Sequence, residues 1–351
     1  MQEAINNCLS ISVIMPVYNV APYVERCLRS VMRQTYPATE CIIVDDASPD
    51  DSIARCKRLI GEYIGPTHFR ILHHDHNRGI SATRNTGTDA ATSTYIFYVD
   101  SDDEMAVDCL EKLVKPIYRD ESLEMVMGAY KVDSYLKSVF GHRLNVYRNR
   151  FKERKALELR TNGEVCRWYY NGIKPNIVWN KLIKLSFVKS NRLYFKEGIV
   201  YEDLLWCFNL MRCLTHMYFI PDITYLYHRN QFSIRARTKS EEKNKCHEYI
   251  FKEMTNRLVS GERLEETVRW AYLLGSLYID GYDRPEFQRL YNIYHQELAN
   301  GRQRSALFRL SMIHCLAKNK VGHLFLKLYM KINYFIQLSK DSSIEITGLS
   351  Q

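Results

Sequence analysis

Short apolar runs alternate with helical patterns over the first 130 residues. The runs are rich in β-branched and aromatic residues and are bounded by turn residues, which is typical of buried strands. They lie at residues 11–16, 40–46, 69–74, 94–100 and 123–130. Because helical patterns separate the runs, the order predicts an α/β fold with a Rossmann-like, mostly parallel sheet that is covered by helices on both faces.

The segments between the predicted strands carry helix signals. Pro22 suits the first turn of a helix, and apolar residues after it recur at the spacing of one helical face, namely Val24, Cys27, Leu28 and Val31. Ser48 and Pro49 predict the cap and the first turn of a second helix. Residues 80–92, rich in small side chains, and residues 107–118 predict two further helices.

The pattern changes after about residue 135. A basic and aromatic region continues to about residue 238, and a helical pattern with few breakers follows it. We therefore predict three parts: an α/β half at residues 1–105, a second half of the same domain at 106–238, and a C-terminal helical extension at 239–351.

The composition is that of a globular protein. The chain has 351 residues, of which 46% are apolar, so it can bury a substantial core. No window approaches the roughly 18 to 20 uninterrupted apolar residues of a spanning helix, and the N-terminus MQEAINNCLS does not resemble a signal peptide. We therefore expect a cytoplasmic protein. The ten cysteines form no CxxC pair, which favours reduced core residues over a zinc site or a disulfide framework.

The net charge of +9 is unevenly distributed along the chain. Residues 142–196 hold 14 Lys and Arg against three acidic residues, and residues 298–340 hold eight and no acidic residue. An acidic centre between basic surfaces suits a metal-dependent site that works on anionic groups, although ordinary solvated faces are the alternative. The acid-free segment contains an apolar helical face that would suit either packing on a core or lying on an anionic membrane.

Polar clusters follow four of the predicted strands. They read PVYN at 16–19, DDAS at 45–48, HNRG at 76–79 and DSDD at 100–103. Ligands of open α/β sheets bind beyond the carboxyl ends of the strands, so we expect these clusters to meet at one edge. No GxGxxG follows a strand and no GxxxxGK[ST] is present, which disfavours a dehydrogenase and a P-loop NTPase.

The last of these clusters is strongly acidic. Asp100, Asp102, Asp103 and Glu104 lie within five positions, and like charges so close together repel each other. Magnesium or manganese would remove the repulsion and leave coordination positions for phosphate oxygens. A turn or a helix cap is the alternative role of an Asp-rich loop, and Glu104 is predicted to be a charge at a helix start.

The other clusters contain residues that suit nucleotide binding. Asp46 can accept a hydrogen bond from a base N–H, which uracil and guanine offer and cytosine N3 does not. Asp45 or Asp46 could equally cap a helix. Arg78 and Arg84 flank the start of a predicted helix, where guanidinium forks and backbone N–H groups can bind a diphosphate.

Clustered histidines at 73–76, in the sequence HHDH, also suggest a metal site. His73 and His74 are neighbours, so in a strand their side chains point to opposite faces and cannot easily share an ion. We predict that they are strand-end residues.

Five motifs occur in a fixed order along the chain, SVIMPVYN, VDDASPDDS, NRGISATRNTG, YVDSDDE and YEDLLW. Together they resemble the family 2 glycosyltransferases of the bacterial capsule and exopolysaccharide type, which have the GT-A fold and are mostly inverting. The resemblance covers roughly residues 10–235, and five ordered motifs are specific although each alone is weak. It implies that residues 1–105 bind a nucleotide sugar and that residues 106–238 bind the acceptor.

The resemblance also implies roles for individual residues. The nucleotide would be bound by Pro16, Tyr18, Asp46, Arg78, Arg84 and Asp100, with the arginines near the diphosphate and Asp100 toward the ribose. The metal would be held by Asp102, helped by Asp103. Catalysis would use the pair Glu202 and Asp203, with Asp203 as the base. The acceptor and phosphate side would include Trp179, Lys181, His228 and Arg229.

Inverting transfer is a single displacement, so it needs a base beside the acceptor hydroxyl and a charge sink beside the leaving diphosphate. Because the N-terminus of a helix stabilises a carboxylate, we expect the pKa of Asp203 to be low and its basicity weak. The alternative reading of YEDLLW is a charged first helical turn ahead of an apolar face.

The leading prediction is therefore a metal-dependent inverting glycosyltransferase that uses Mn²⁺ or Mg²⁺. It would move a hexosyl or N-acetylhexosaminyl group from a UDP-linked donor to a glycan or lipid-linked saccharide, with possible attachment to an anionic membrane surface. A sugar-phosphate nucleotidyltransferase would need a glycine-rich loop in place of PVYNVAPY. A non-catalytic nucleotide- or glycan-binding module is a further alternative. Nucleic acid is disfavoured as a partner because no recognised module is present.

Overall fold

The computed structural model of the chain describes residues 8–137, 143–150, 155–171, 176–230 and 238–259. The basic segment 298–340 and most of the predicted C-terminal helical extension lie outside these residues. The chain divides into two compact units, Met1–Val165 with Asn176–Cys246, and Cys166–Pro175 with His247–Gln351. All site residues predicted from the sequence belong to the first unit.

The first half of the sheet is parallel and alternates with helices, as the apolar pattern predicts. Its elements are β1 (Ile11–Val17), α1 (Ala21–Met32), β2 (Glu40–Asp45), α2 (Ser52–Glu62), β3 (His68–His73), α3 (Ile80–Ala90) and β4 (Tyr95–Tyr98). The strands lie in the order β3-β2-β1-β4, and every pairing among them is parallel. Their carboxyl ends therefore meet at one edge of the sheet.

The second half of the sheet is mixed. Its elements are β5 (Glu104–Met105), α4 (Cys109–Arg119), β6 (Met125–Lys137), β7 (Arg143–Arg150), β8 (Leu157–Leu159), α5 (Asn162–Asn171), β9 (Lys181–Lys184), α6 (Leu185–Ser190), α7 (Glu202–Cys213), β10 (Met217–Tyr227) and α8 (Ser240–Val259). Strand β9 lies antiparallel between β4 and β6, and β10 is parallel to β6. Strands β4, β6 and β10 consequently run in the same direction, and β10 ends at the edge where β4 ends.

The second helix begins later than the sequence predicts. Helix α2 starts at Ser52, so Ser48 and Pro49 precede it. Their segment instead contacts the start of α1, because Asp50 accepts a hydrogen bond from the Ala21 N–H at 2.8 Å and another from the Ser48 hydroxyl at 2.7 Å. A side chain from the next loop thus satisfies a backbone donor that the start of α1 leaves unpaired.

The core lies between the sheet and its helices. The predicted apolar face of α1 is buried, since Val24, Cys27 and Leu28 are fully covered. Burying each large apolar side chain contributes about 1.5–3 kcal/mol. The cysteines in the described part of the chain are free thiols, and most of them are buried, as expected. Among the described helices, none is long enough and apolar enough to cross a membrane.

Packing between α3 and β1 yields a stability prediction. Gly87 lies on the buried side of α3, where an added Cβ would overlap the Ile14 Cγ2 methyl group. We expect Gly87→Ala to lower the free energy of unfolding by about 1–3 kcal/mol, because overpacking displaces the strand or the helix. Gly61→Ala is the matched control, since an added Cβ meets no atom within 4 Å there. Equal urea midpoints for both variants would contradict this packing.

Candidate active site

The polar clusters after the strands of the parallel half meet at one edge. The Asn19 N–H donates to Ser48 Oγ at 2.8 Å, which joins the loops after β1 and β2. His74 Nδ1 lies 2.7 Å from Asp46 Oδ1, which joins the loops after β2 and β3. Arg84 connects the start of α3 to Asp100, directly after β4. The expected convergence is therefore present in the structure.

Asp103 does not fit the predicted role of metal ligand. Its side chain is fully buried, and its two oxygens accept hydrogen bonds from the His228 N–H at 2.8 Å and from the Tyr225 hydroxyl at 2.9 Å. Burial, followed by the charges of Asp102 and Asp100, raises its pKa. Asp103 therefore connects the acidic loop to the end of β10 instead of facing a ligand.

Asp102 fits a divalent cation better. It is half-buried, and the Asn230 side-chain amide donates to its Oδ2 at 3.1 Å. Burial, followed by the negative charge of Asp100, raises its pKa, and the Asn230 hydrogen bond and the charge of Arg26 offset this rise only in part. Carboxylate oxygens with this surplus of negative charge suit magnesium or manganese. The donor set thus fits the predicted metal at Asp102 and not at Asp103.

Glu104 is not at a helix start, as the sequence suggested, but in the short strand β5. Its carboxylate lies 2.7 Å from His228 Nε2 and 3.2 Å from Arg26 Nε. The His228 ring is therefore engaged with Glu104, which leaves it poorly placed for the predicted phosphate contact. Arg229, the next residue, is exposed.

Arg84 is a buried ion-pair partner and not an exposed phosphate ligand. Its side chain is only 3% exposed, and it donates from Nη1 to Glu202 at 2.7 Å and from Nη2 to Asp100 at 2.8 Å. Although burial by itself lowers the pKa of Arg84, the charges of Asp100 and Glu202 raise it overall. The guanidinium therefore stays charged between the acidic loop and the first turn of α7.

Arg78 remains open to solvent beside this edge. Its side chain is 41% exposed, and Nη2 lies 3.7 Å from Glu197 Oε2. An exposed ion pair of this length contributes little stability, so the guanidinium can exchange partners readily. Of the two predicted diphosphate ligands, only Arg78 is placed to meet a ligand from solvent.

Asp46 is buried and holds the loop that precedes α3. It accepts hydrogen bonds from the Arg78 N–H at 2.9 Å and the Gly79 N–H at 2.8 Å, in addition to its contact with His74. Asp45 pairs with His73 at 2.9 Å, so the two histidines contact different carboxylates, as expected for neighbours in a strand. The predicted contact of Asp46 with a nucleobase would be additional to these hydrogen bonds within the protein.

The predicted nucleoside residues on β1 differ in exposure. Pro16 is buried within the strand and pairs with Val44 of β2. Tyr18, just past the end of the strand, is 42% exposed. Of these two residues, only Tyr18 exposes a ring at the surface on which a ligand could stack.

The pKa of Asp203 is higher than its position at the start of a helix suggested. It lies in the first turn of α7, and the Leu204 N–H donates to its Oδ1 at 2.8 Å. Burial, followed by the negative charge of Glu202, raises its pKa to about 7. The prediction of a low pKa was wrong because desolvation and a neighbouring carboxylate outweigh the helix dipole. A carboxylate with this pKa is well matched to general base catalysis near neutral pH.

Trp179 and Lys181 are buried, so the predicted direct acceptor contacts do not fit. Trp179 stacks on Tyr225 with ring centroids 4.3 Å apart. Lys181 has no exposed surface, its ammonium group donates to the Ile177 carbonyl, and burial lowers its pKa to about 8. Both residues therefore contact other protein groups and do not face a ligand.

A second group of potential metal ligands lies elsewhere in the sheet. Asp120, Glu158 and His216 offer ligand atoms within 4.8 Å of one another and could hold an ion. Asp120 precedes β6 and His216 precedes β10, so this group is at the opposite edge from Asp102. Arg160 Nη2 lies 2.6 Å from Glu158 Oε1, so a positive charge is already present there.

The sequence patterns missed Tyr225 and Asn230 because β10 was assigned to a general basic and aromatic region. The available signal was the run of β-branched and aromatic residues at 217–227, which is typical of a strand. Tyr225 contacts the acidic loop twice: its hydroxyl donates to Asp103 and accepts a hydrogen bond from the Asp100 N–H at 3.1 Å.

Comparison with known proteins agrees with the motifs. Residues 12–180 match the family described as Glycosyl transferase family 2. Glycosyltransferase GlyG of Streptococcus pneumoniae serotype 4 is 29% identical over 225 residues, which cover 64% of this chain and 72% of that protein. Poly(ribitol-phosphate) beta-N-acetylglucosaminyltransferase TarP of Staphylococcus aureus is 33% identical over 188 residues, covering 53% of this chain and 52% of TarP.

Solved structures support the same fold. The crystal structure of S. aureus TarS 1–349 in complex with UDP-GlcNAc matches with a TM-score of 0.62 at 17% identity. The match covers 97% of this chain and 93% of that chain. At this identity the likeness shows the fold, and the predicted GT-A architecture is confirmed.

Burial of Lys181 predicts a pH-dependent component of stability. An exposed lysine has a pKa of about 10.4, whereas the pKa of Lys181 in the folded chain is about 8. Between about pH 8 and 10.4 the unfolded chain therefore binds one more proton at this position than the folded chain. The free energy of unfolding of the wild type should therefore rise by up to ~3 kcal/mol over this range relative to Lys181→Met. Urea unfolding at both pH values measures the difference. Lys184→Met, on the same strand, is the matched control, and parallel pH dependence of wild type and Lys181→Met would contradict the prediction.

Proposed function

We propose, from the family 2 glycosyltransferase domain that residues 12–180 carry, that the protein is a metal-dependent inverting transferase acting on a glycan or lipid-linked saccharide. The observation that supports this most directly is the contact of one guanidinium with both halves of the reaction site. Arg84 binds Asp100 in the acidic loop and Glu202, the neighbour of the proposed base Asp203. Donor groups and base are therefore close to each other.

A UDP-linked sugar is the proposed donor. TarS, which shares the fold, was crystallised with UDP-GlcNAc, and TarP is named as an N-acetylglucosaminyltransferase. The N–H of uracil would suit Asp46, the exposed Tyr18 ring would stack on the base, and Asp100 would accept from the ribose hydroxyls. We therefore propose an N-acetylhexosaminyl group, or a related hexosyl group, as the transferred sugar.

The proposed mechanism is a single displacement. Asp203 accepts the proton of the acceptor hydroxyl as the new glycosidic bond forms and the bond to the diphosphate breaks. Asp102 would hold the divalent cation, which when bound neutralises charge on the leaving diphosphate. Arg78 would leave Glu197 and add a charge-assisted hydrogen bond to the same diphosphate. Arg84 and Glu202 stay paired behind the reacting groups.

The alternatives differ in what they require of Asp203. A carboxylate with a raised pKa beside the acidic loop is more typical of a catalytic site than of a binding module. In a nucleotidyltransferase, a sugar phosphate that is already ionised would attack a nucleoside triphosphate and release pyrophosphate, so no base beside an acceptor hydroxyl would be needed. The raised pKa of Asp203 therefore favours glycosyl transfer.

Asp203→Asn tests the proposed base. We expect kcat for release of UDP from UDP-GlcNAc, in the presence of Mn²⁺, to fall about 10²–10⁴-fold with an unchanged Kd for UDP by calorimetry. Wild-type kcat/KM should fall as pH drops below about 7, because Asp203 becomes protonated. Asp102→Asn is the contrasting variant, in which the Mn²⁺-dependent part of UDP affinity should disappear. Full turnover by Asp203→Asn would exclude it as base.

Peripheral membrane attachment on the cytoplasmic side is proposed from the charge pattern of the sequence. Residues 298–340 carry eight basic and no acidic residues, and each basic side chain near an anionic surface contributes about 1 kcal/mol. We expect the protein to sediment with vesicles containing anionic lipid at low salt, and not with neutral vesicles. Absence of sedimentation with the anionic vesicles would refute the attachment.

A further inference from the structure

The contact between Arg84 and its two carboxylates has features of a positioning device. One guanidinium nitrogen binds Asp100 and the other binds Glu202, which is 118 residues away from Arg84 in sequence. Because the guanidinium is planar and rigid, these two bonds fix the distance and orientation between the partners. Burial of the Arg84 side chain removes competing water, which strengthens both ion pairs.

Helix α3 also holds the chain that leads into α7. Asn85, next to Arg84, accepts a hydrogen bond from the Phe195 N–H at 2.8 Å and donates to the Phe195 carbonyl at 3.0 Å. The Arg84 guanidinium lies over the Phe195 ring, 5.3 Å from its centroid. Tyr201, immediately before α7, has a φ of 65°, a conformation that costs free energy in any residue with a side chain. The start of α7 is thus held in place from α3.

We propose that Arg84 and Glu202 are positioning residues that fix the proposed base Asp203 relative to the donor-binding acidic loop and place one positive and one negative charge beside it. The proposal rests on the proposed function, because it assigns Asp203 the role of base. Neither residue would touch the reacting atoms. Their effect on the reaction would come through Asp203 and Asp100.

The charged groups around Asp203 come from four elements. Glu202 on α7 and Asp100 after β4 are negative and raise the pKa of Asp203, whereas Arg84 on α3 lowers it. Lys181 on β9 is near enough for Asp203 to raise its pKa in return. The proposal therefore requires that removing Glu202 and removing Arg84 shift the titration of Asp203 in opposite directions.

Two substitutions test this requirement. Glu202→Gln keeps a side-chain oxygen that Arg84 can bind and removes the negative charge, so the midpoint of Asp203 should fall by about one pH unit. Arg84→Met removes the positive charge, so the midpoint should rise by about one pH unit. The acidic limb of the kcat/KM profile for UDP release from UDP-GlcNAc should move by the same amounts.

The titration is measured directly by ¹³C NMR of the full chain labelled at aspartate carboxyls, with the Asp203 signal identified by its loss in Asp203→Asn. Arg70→Met is the control, since Arg70 on β3 pairs with Glu40 on β2 at 2.9 Å and neither is among the charges named above around Asp203. It should destabilise the fold without moving the midpoint of Asp203. An unmoved midpoint in Glu202→Gln, or a shift of the same sign in both variants, would overturn the proposal.

The experiment distinguishes a variant that does not fold from a failure of the proposed function and from a failure of the positioning role. If Arg84→Met does not fold, Glu202→Gln alone decides, because its change is nearly isosteric. If the midpoints move as expected while the wild type does not release UDP with Mn²⁺ present, the positioning of Asp203 is supported and the proposed donor fails. If UDP is released but the midpoints do not move, the proposed function stands and the positioning role fails.

Discussion

A buried guanidinium, that of Arg84, holds together carboxylates that come from distant parts of the chain. Taking charges out of water is costly, and the cost is offset only when each charge has a close, hydrogen-bonded partner. Arg84 has two such partners, Asp100 and Glu202. Removing Arg84 would leave both carboxylates without their shared partner, whereas removing either carboxylate would leave the guanidinium paired with the other. The acidic loop, α3 and α7 are therefore bound to one another at this point.

The acidic loop divides its charges between structure and chemistry. Both oxygens of Asp103 accept hydrogen bonds from Tyr225 and His228 at the end of β10, and Asp100 is paired with Arg84. Asp102 is only half-buried, and burial and the charge of Asp100 raise its pKa, so it fits a cation better than the fully buried Asp103. Four acidic residues in five positions are thus tolerated because two of them, Asp103 and Glu104, have partners on β10 or in the segment after it.

The surroundings of Asp203 raise the pKa of a carboxylate that lies at a helix N-terminus. Partial positive charge at the start of α7 favours the carboxylate, but burial and the adjacent Glu202 favour the protonated form more strongly. The result is a carboxylate whose pKa is matched to neutral pH.

The parallel half of the sheet, the apolar face of α1 and the clusters after the strands were predictable from sequence, since periodicity and turn residues are local properties. The partners of Arg84, Asp103 and Lys181 were not predictable. Arg84, Asp103 and Lys181 are polar residues in motifs that suggest ligand contact, yet all three are buried by segments far away in the chain. Burial and charge pairing depend on which segments pack together. Only the tertiary structure therefore decided that these residues are enclosed and paired, while Asp102, Arg78 and Asp203 are less deeply buried at the sheet edge.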